Sequence, residues 1–222
     1  MGRLAILLRA VGIVIIVVVV IFVLIFPNCS CSTKTESTSV SDWKTYRSDS
    51  IPFEIKHPTE LRVEQGSVGE LIFVHSIPHQ HPDPCDFGDT VHALKELVDF
   101  HVSVRLAPKD FRETVMEGEI GLVAEYVSDS ALTVVPGWID AVTIGELSGY
   151  RIQFGVEGCG GFRYYFPLSP QQTLFVTRKL ITEFNPIIGN YKDYLQLPGI
   201  ITPEEEEKLF SKMLASFKLK NK

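Results

Sequence analysis

From Ala10 to Phe26 the chain runs 17 residues without a charge. A run of that length has no place on the surface of a water-soluble fold, so it constrains the architecture before anything else does. As a helix rising about 1.5 Å per residue it spans roughly 25 Å, near the lower limit for a bilayer. Leu4 to Leu8 extend it beyond Arg9, whose long side chain can reach toward lipid headgroups. The run is rich in Val and Ile, which are poor helix formers in water. In lipid the backbone must bond to itself, and helix wins. The expectation is a transmembrane anchor that meets the membrane through residues 4–26. Arg3 and Arg9 on the short N-terminal flank favour that end staying in the cytoplasm. The rest would then lie outside, as in a single-pass protein of the cell membrane. A cleaved signal peptide and lipidation at Cys29 or Cys31 are the alternatives. The exit Phe26-Pro27-Asn28-Cys29-Ser30-Cys31 holds no A-x-A-like cleavage site and makes a poor lipobox.

The domain plan follows from that anchor. Residues 1–28 are read as cytoplasmic tip and anchor. Residues 29–42, small and polar, are read as a flexible linker. Residues 43–222 form one domain, with enough chain for one ample core. The whole chain carries −6, residues 1–41 carry +2, and the remainder therefore carries −8. An acidic domain repels phosphate backbones, so no nucleic-acid partner is expected. It also repels anionic headgroups, so the domain should stand off the membrane.

Within the domain, apolar residues alternate with polar ones at Phe53-Ile55-His57, Val102-Val104-Leu106, Ile152-Phe154-Val156 and Phe162-Tyr164-Phe166, then along 173–179. That period marks half-buried strands. The connectors Gly158-Cys159-Gly160-Gly161 and Ser169-Pro170-Gln171-Gln172 are short, so the last three strands read as an antiparallel meander. Thr202-Pro203-Glu204-Glu205 predicts a helix start with a capping box. Leu209, Phe210, Met213, Leu214 and Phe217 give that helix one apolar stripe. Glutamates 204–207 suit its positive end and Lys218, Lys220 and Lys222 its negative end. A second helix is expected within Lys109–Val127 and a shorter one near Val91–Val98. Strands, helix, strands and helix in that order indicate α+β, with helices covering an antiparallel sheet.

Trp43 and Tyr46, the run Phe53 to Pro58, Gly149-Tyr150 and the closing Glu206 to Lys218 together resemble the PsbP-like α/β/α sandwich. The chain also looks like single-pass proteins of unassigned function from bacteria with reduced genomes, which share the Glu-Gly-Cys-Gly and Cys-Asp-Phe segments. The likeness covers roughly residues 43–218, and its motifs are structural. PsbP-like domains are mostly extrinsic binding or assembly modules, so the resemblance implies a non-enzymatic role and brings no catalytic residues with it.

Cys85 and Cys159 are the only cysteines of the domain. Outside the cytoplasm they can pair, closing a loop for which the chain-entropy model gives roughly 4 kcal/mol. Two separate thiols, or a nucleophilic Cys159 in a thiol-dependent hydrolase, are the alternatives. The flanking glycines permit a strained nucleophile turn, but the strand-like pattern from Phe162 suits a hairpin bend better. The segment His75 to Cys85 offers His79 and His81 as a pair of imidazoles for zinc or copper at low affinity. Its spacing matches no strong zinc pattern, and a solvated loop is the expected form. Asp110, Glu113, Glu117 and Glu119 are read as a solvated acidic face. Phe162, Tyr164, Tyr165 and Phe166 are read as core and sheet surface. No Gly-rich phosphate loop, G-x-S-x-G or H-E-x-x-H occurs, and no cofactor or catalytic set is expected. The functional expectation is a membrane-anchored extracytoplasmic module that binds a protein or small ligand.

Overall fold

The alternation at Val102, Val104 and Leu106 lies near the middle of a seven-stranded antiparallel sheet. A computed structural model describes residues 43–47, 52–86, 92–119, 124–156 and 158–220, which belong to one unit, Ser39–Lys222. The expected anchor and the whole of the linker fall in 1–42, outside the described residues. Among the described residues no helix is long and apolar enough to cross a membrane.

The strands are β1 (Trp43–Tyr46), β2 (Phe53–Pro58), β3 (Arg62–Gln65), β4 (Leu71–Pro82), β5 (Ala93–Ala107), β6 (Ile139–Ile144), β7 (Leu147–Val156), β8 (Cys159–Ser169), β9 (Gln172–Lys179) and β10 (Lys218–Leu219). The large sheet runs β3-β4-β5-β9-β8-β7-β6, and β1-β2-β10 form a small second sheet. The expected meander is present as β7, β8 and β9. Helices α1 (Phe111–Gly118), α2 (Tyr191–Tyr194) and α3 (Pro203–Ala215) complete the set.

Adjacent residues of β8 face opposite ways, as the pleat requires. Tyr164 and Phe166 pack with Phe73, Val102 and Val176 against Phe210, Met213 and Leu214 of α3 and against Phe53 and Ile55 of β2. Tyr165 packs with Ile139 and Ile152 against Phe111 and Val115 of α1. The sheet thus has apolar partners on both faces, and the α+β expectation holds. The α3 start is as the sequence indicates: Glu205 N donates to Thr202 Oγ1 at 3.4 Å, and Thr202 N donates to Glu205 Oε2 at 3.0 Å.

Two expectations are corrected. Residues 93–98 are strand, not helix. A bulge in β5 explains the misreading. His75 pairs with Phe100 and Ser76 with Val98, so Asp99 is the extra residue. The bulge breaks the period of two: Leu97, Asp99 and Phe100 are all buried around it, and the alternation that marks a strand is lost. The segment His75 to Pro82 is likewise the end of β4 rather than a solvated loop. Pro78 borders the β4–β5 register shift that runs to His81, and Pro82 is the last residue of β4, positions where a strand tolerates proline. In the 109–127 region the helix occupies Phe111–Gly118, and a 3-10 turn follows at Ala124–Tyr126.

Two histidines of the sheets give the fold a pH dependence. His57 is 5% exposed, with Nδ1 2.7 Å from Pro58 O and its ring against Phe73. Burial lowers its pKa from the usual imidazole value, and burial with nearby Lys179 does the same for His101. A folded pKa below the unfolded one stabilises the fold above the unfolded value, about 6.5. That contribution is lost as pH falls through the folded value. Thermal melts should therefore show lower stability at pH 5 than at pH 7.5, and His57→Gln should shrink the difference. An unchanged difference in His57→Gln would remove this histidine as a cause.

Candidate functional site

Three segments distant in sequence meet where β4 ends. Asp83, just past β4, accepts a bond from Cys85 N at 2.9 Å and shapes the turn that carries Cys85. Cys159 opens β8 directly after Gly158, whose φ of 81° favours glycine. The two cysteines form a disulfide with Cα atoms 5.7 Å apart and a sequence separation of 74. Thr182, buried in a 3-10 turn, donates from its hydroxyl to Gly158 O at 3.0 Å and lies 3.3 Å from Cys85 Sγ. The sulfur of Cys159 is bonded here and is therefore no free nucleophile.

Beside this junction lies a cleft of about 250 Å³, below the usual range for drug-sized ligands. One wall is Gly158 with Ile181, Phe184 and Pro186, and the other is the start of α3 at Pro203. The polar floor is internally paired. Asp99, wholly buried by the β5 bulge, has Oδ1 2.6 Å from His75 Nδ1 and accepts Ile201 N at Oδ2 at 2.7 Å. Arg178 donates from Nε to Glu206 Oε1 at 2.8 Å, from Nη2 to Glu206 Oε2, and from Nη1 to Glu207 Oε2 at 2.5 Å. Its guanidinium lies 4.8 Å over the Phe210 ring. Burial opposes the Arg178 charge, but the Glu206 carboxylate outweighs it and holds the pKa above the ordinary value. Burial pushes Glu206 up, and Arg178 pulls it partly back.

With the floor satisfied, the cleft offers a visitor mainly apolar wall. Val156 at the β7–β8 hairpin tip and Ile187 beside Gly158 are exposed by 69% and 65%, the two highest values among the exposed large apolar residues. Lys179 is exposed at the mouth and has no ion pair among the described residues.

His79 and His81 share one face of β4, their rings stacked with centroids 6.1 Å apart and both packed on Tyr194. His81 is 3% exposed, with Nδ1 2.9 Å from Pro82 O and Nε2 3.2 Å from Glu96 O. Both its nitrogens already face protein oxygens. Among the described residues no group of three or more His, Cys, Asp or Glu could hold a metal ion. The acidic face is only partly solvated. Asp110 caps α1 by accepting Glu113 N at 2.7 Å, and Glu119 accepts from Tyr165 Oη at 3.1 Å and from Arg163 Nη1 at 2.9 Å. The helix-dipole reading of Glu204–Glu207 also needs correction at Glu206, which is buried against Arg178.

Asp99, Thr182, Arg178 and Glu206 were not expected from the sequence as members of a site, and His75 entered only as the start of the His75–Cys85 segment. Two carried a signal. Arg178 follows Leu174 and Val176 on the core face at strand spacing, and Glu206 precedes Phe210 by four on the buried stripe of α3. Opposite charges on two apolar faces are a cue for a buried pair.

No family model matches the chain, and no curated protein matches it. Among solved structures it is similar to a crystal structure from Bacteroides thetaiotaomicron, with a TM-score of 0.43 and 10% sequence identity. The match covers 82% of this chain and 50% of the other, so the chain spans about half the length of that protein.

Proposed function

We propose that this chain is a membrane-anchored extracytoplasmic binding or assembly module, built as a PsbP-like sandwich and held to the cell membrane by residues 4–26. The observation that carries the reading is the Cys85–Cys159 disulfide. Such bonds persist in oxidising compartments and are rare in the cytosol, which agrees with the charge-free run and its arginine-flanked start. The cleft beside that disulfide supports a binding role. Its wall is apolar, its buried charges are paired, and the exposed Ile187 stands beside Gly158 of that wall. Surface aliphatics grouped beside a cleft are a recurrent mark of interaction sites.

Protease treatment of intact spheroplasts tests the topology: the domain is expected to be digested while the N-terminus stays protected. Protection of the whole chain would reject an outside location. Chemical crosslinking in intact membranes, compared between wild type and Ile187→Asp, tests the binding face. A crosslinked species lost in Ile187→Asp supports it, and one retained unchanged moves the contact elsewhere on the domain.

A further inference from the structure

The disulfide is asymmetric. Cys85 is exposed, whereas Cys159 is half-buried at the start of β8, and Thr182 Oγ1 lies 3.3 Å from the Cys85 sulfur and 3.9 Å from the Cys159 sulfur. Exposed disulfides are the labile ones, because exchange needs a thiolate to reach one sulfur from the side opposite the other. We infer that the pair is a thiol-exchange site, attacked at Cys85 by an uncharged dithiol, and that its opening loosens the cleft wall at Gly158. The exchange chemistry stands on the difference in exposure between the two cysteines, and only its effect on the cleft rests on the function proposed above.

The step balances as follows. One thiolate of the dithiol bonds to Cys85 Sγ, the Cys85–Cys159 bond breaks, and Cys159 leaves as a thiolate that takes up a proton. The second thiol of the dithiol then attacks its own sulfur in the mixed disulfide and frees Cys85. The dithiol is oxidised by two electrons, and the chain gains two thiols.

Charge selects the reductant. Asp83 holds Cys85 N, and Asp86 follows Cys85 directly. An approaching anion meets this pair on a domain of net negative charge, and salt screens the repulsion. His92 offsets part of it, with Nδ1 2.5 Å from Asp86 Oδ2. Opening affects the cleft because Thr182 joins the same junction. It bonds Gly158 O, touches Cys85 Sγ and belongs to the segment that forms the cleft wall. Without the crosslink, the Cys85 turn is no longer tied to Cys159 beside Gly158, and Gly158 keeps only its bond from Thr182.

The test uses the full chain with Cys29→Ser and Cys31→Ser, so that only this pair reports. Limiting 2-mercaptoethanol, an acid quench and peptide mapping should find the mixed disulfide at Cys85 at least tenfold over Cys159. The opening rate should rise in proportion to thiol concentration. It should be several-fold slower with the anionic 2-mercaptoethanesulfonate, each rate being normalised to the same thiol's reaction with a neutral small disulfide. High salt or Asp83→Asn should narrow that gap. Mapping mainly to Cys159, or a rate that levels off at the independently measured unfolding rate, would overturn the site. Attack at Cys85 combined with equal crosslinking of the oxidised and reduced proteins through Ile187 would overturn the effect on the cleft. Absence of any Ile187-dependent crosslink in the oxidised wild-type protein defeats the binding reading and leaves the exchange site standing.

Discussion

Arg178→Ala should lower the stability of the domain by roughly 3–5 kcal/mol, the usual cost of removing one partner from a buried ion pair. Arg178 and Glu206 are 8% and 7% exposed, so the variant leaves a carboxylate under α3 with no counter-ion. Glu207 contributes little to this cost, because its side chain is 59% exposed and water can replace its partner. The removed guanidinium also covers the Phe210 ring, so packing is lost along with charge. A double change, Arg178→Met with Glu206→Leu, should recover most of the loss, since well-packed apolar residues often replace such pairs without penalty. The pH dependence has a definite sign. Burial already holds the Glu206 carboxyl above its ordinary pKa, and loss of Arg178 removes the opposing pull. A carboxyl raised on folding stabilises fully below its unfolded pKa, about 4.3. It loses that contribution as pH rises through the folded value. The deficit of Arg178→Ala relative to wild type should therefore be largest at pH 7 and shrink toward pH 4.5. Urea unfolding at both pH values measures it. A variant within 1 kcal/mol of wild type at pH 7 would show that the pair is not buried in solution.

Removing the crosslink should have an effect of similar size. Replacing Cys85 and Cys159 together by alanine should cost roughly 2–4 kcal/mol, because the open chain regains the conformational freedom that the bond withheld. For a domain of this length that corresponds to a fall in Tm of very roughly 5–15 °C. The loss should appear mainly in the unfolded state, and the change in the folded state should be confined to the cleft wall at Gly158, so the near-UV circular dichroism of the aromatic core should stay close to that of the oxidised protein. A variant as stable as wild type would mean that strain at the junction offsets the whole entropic gain.

The legible parts of the fold share one property: each is written in residues close together in sequence. The strand at Phe53, Ile55 and His57 is visible because every second side chain is buried. The start of α3 is visible because Thr202, Pro203 and Glu205 are a local chemical unit. The misreadings came where a distant partner altered the local pattern. The Asp99 bulge exists because β4 pairs across it, and it removed the alternation that would have marked this part of β5 as strand. Glu206 looked like one more acid at a helix start, because its partner sits 28 residues away on another element.

The sequence by itself determined the charge-free run at the N-terminus, the acidic character of the remainder, the alternation of most strands, the α3 cap and the chance for Cys85 to meet Cys159. These depend on composition, on periods of two or 3.6, and on which cysteines exist. Only the tertiary structure decided that Asp99 is buried between His75 and Ile201, that Arg178 and Glu206 close on each other, and that Thr182 joins both cysteine segments beside an apolar cleft. Those groups lie up to about a hundred residues apart, and their spacing in the chain carries no trace of their meeting. A buried polar group must find a partner or lose stability. The folded arrangement of strands and α3 is what determines which partner that is.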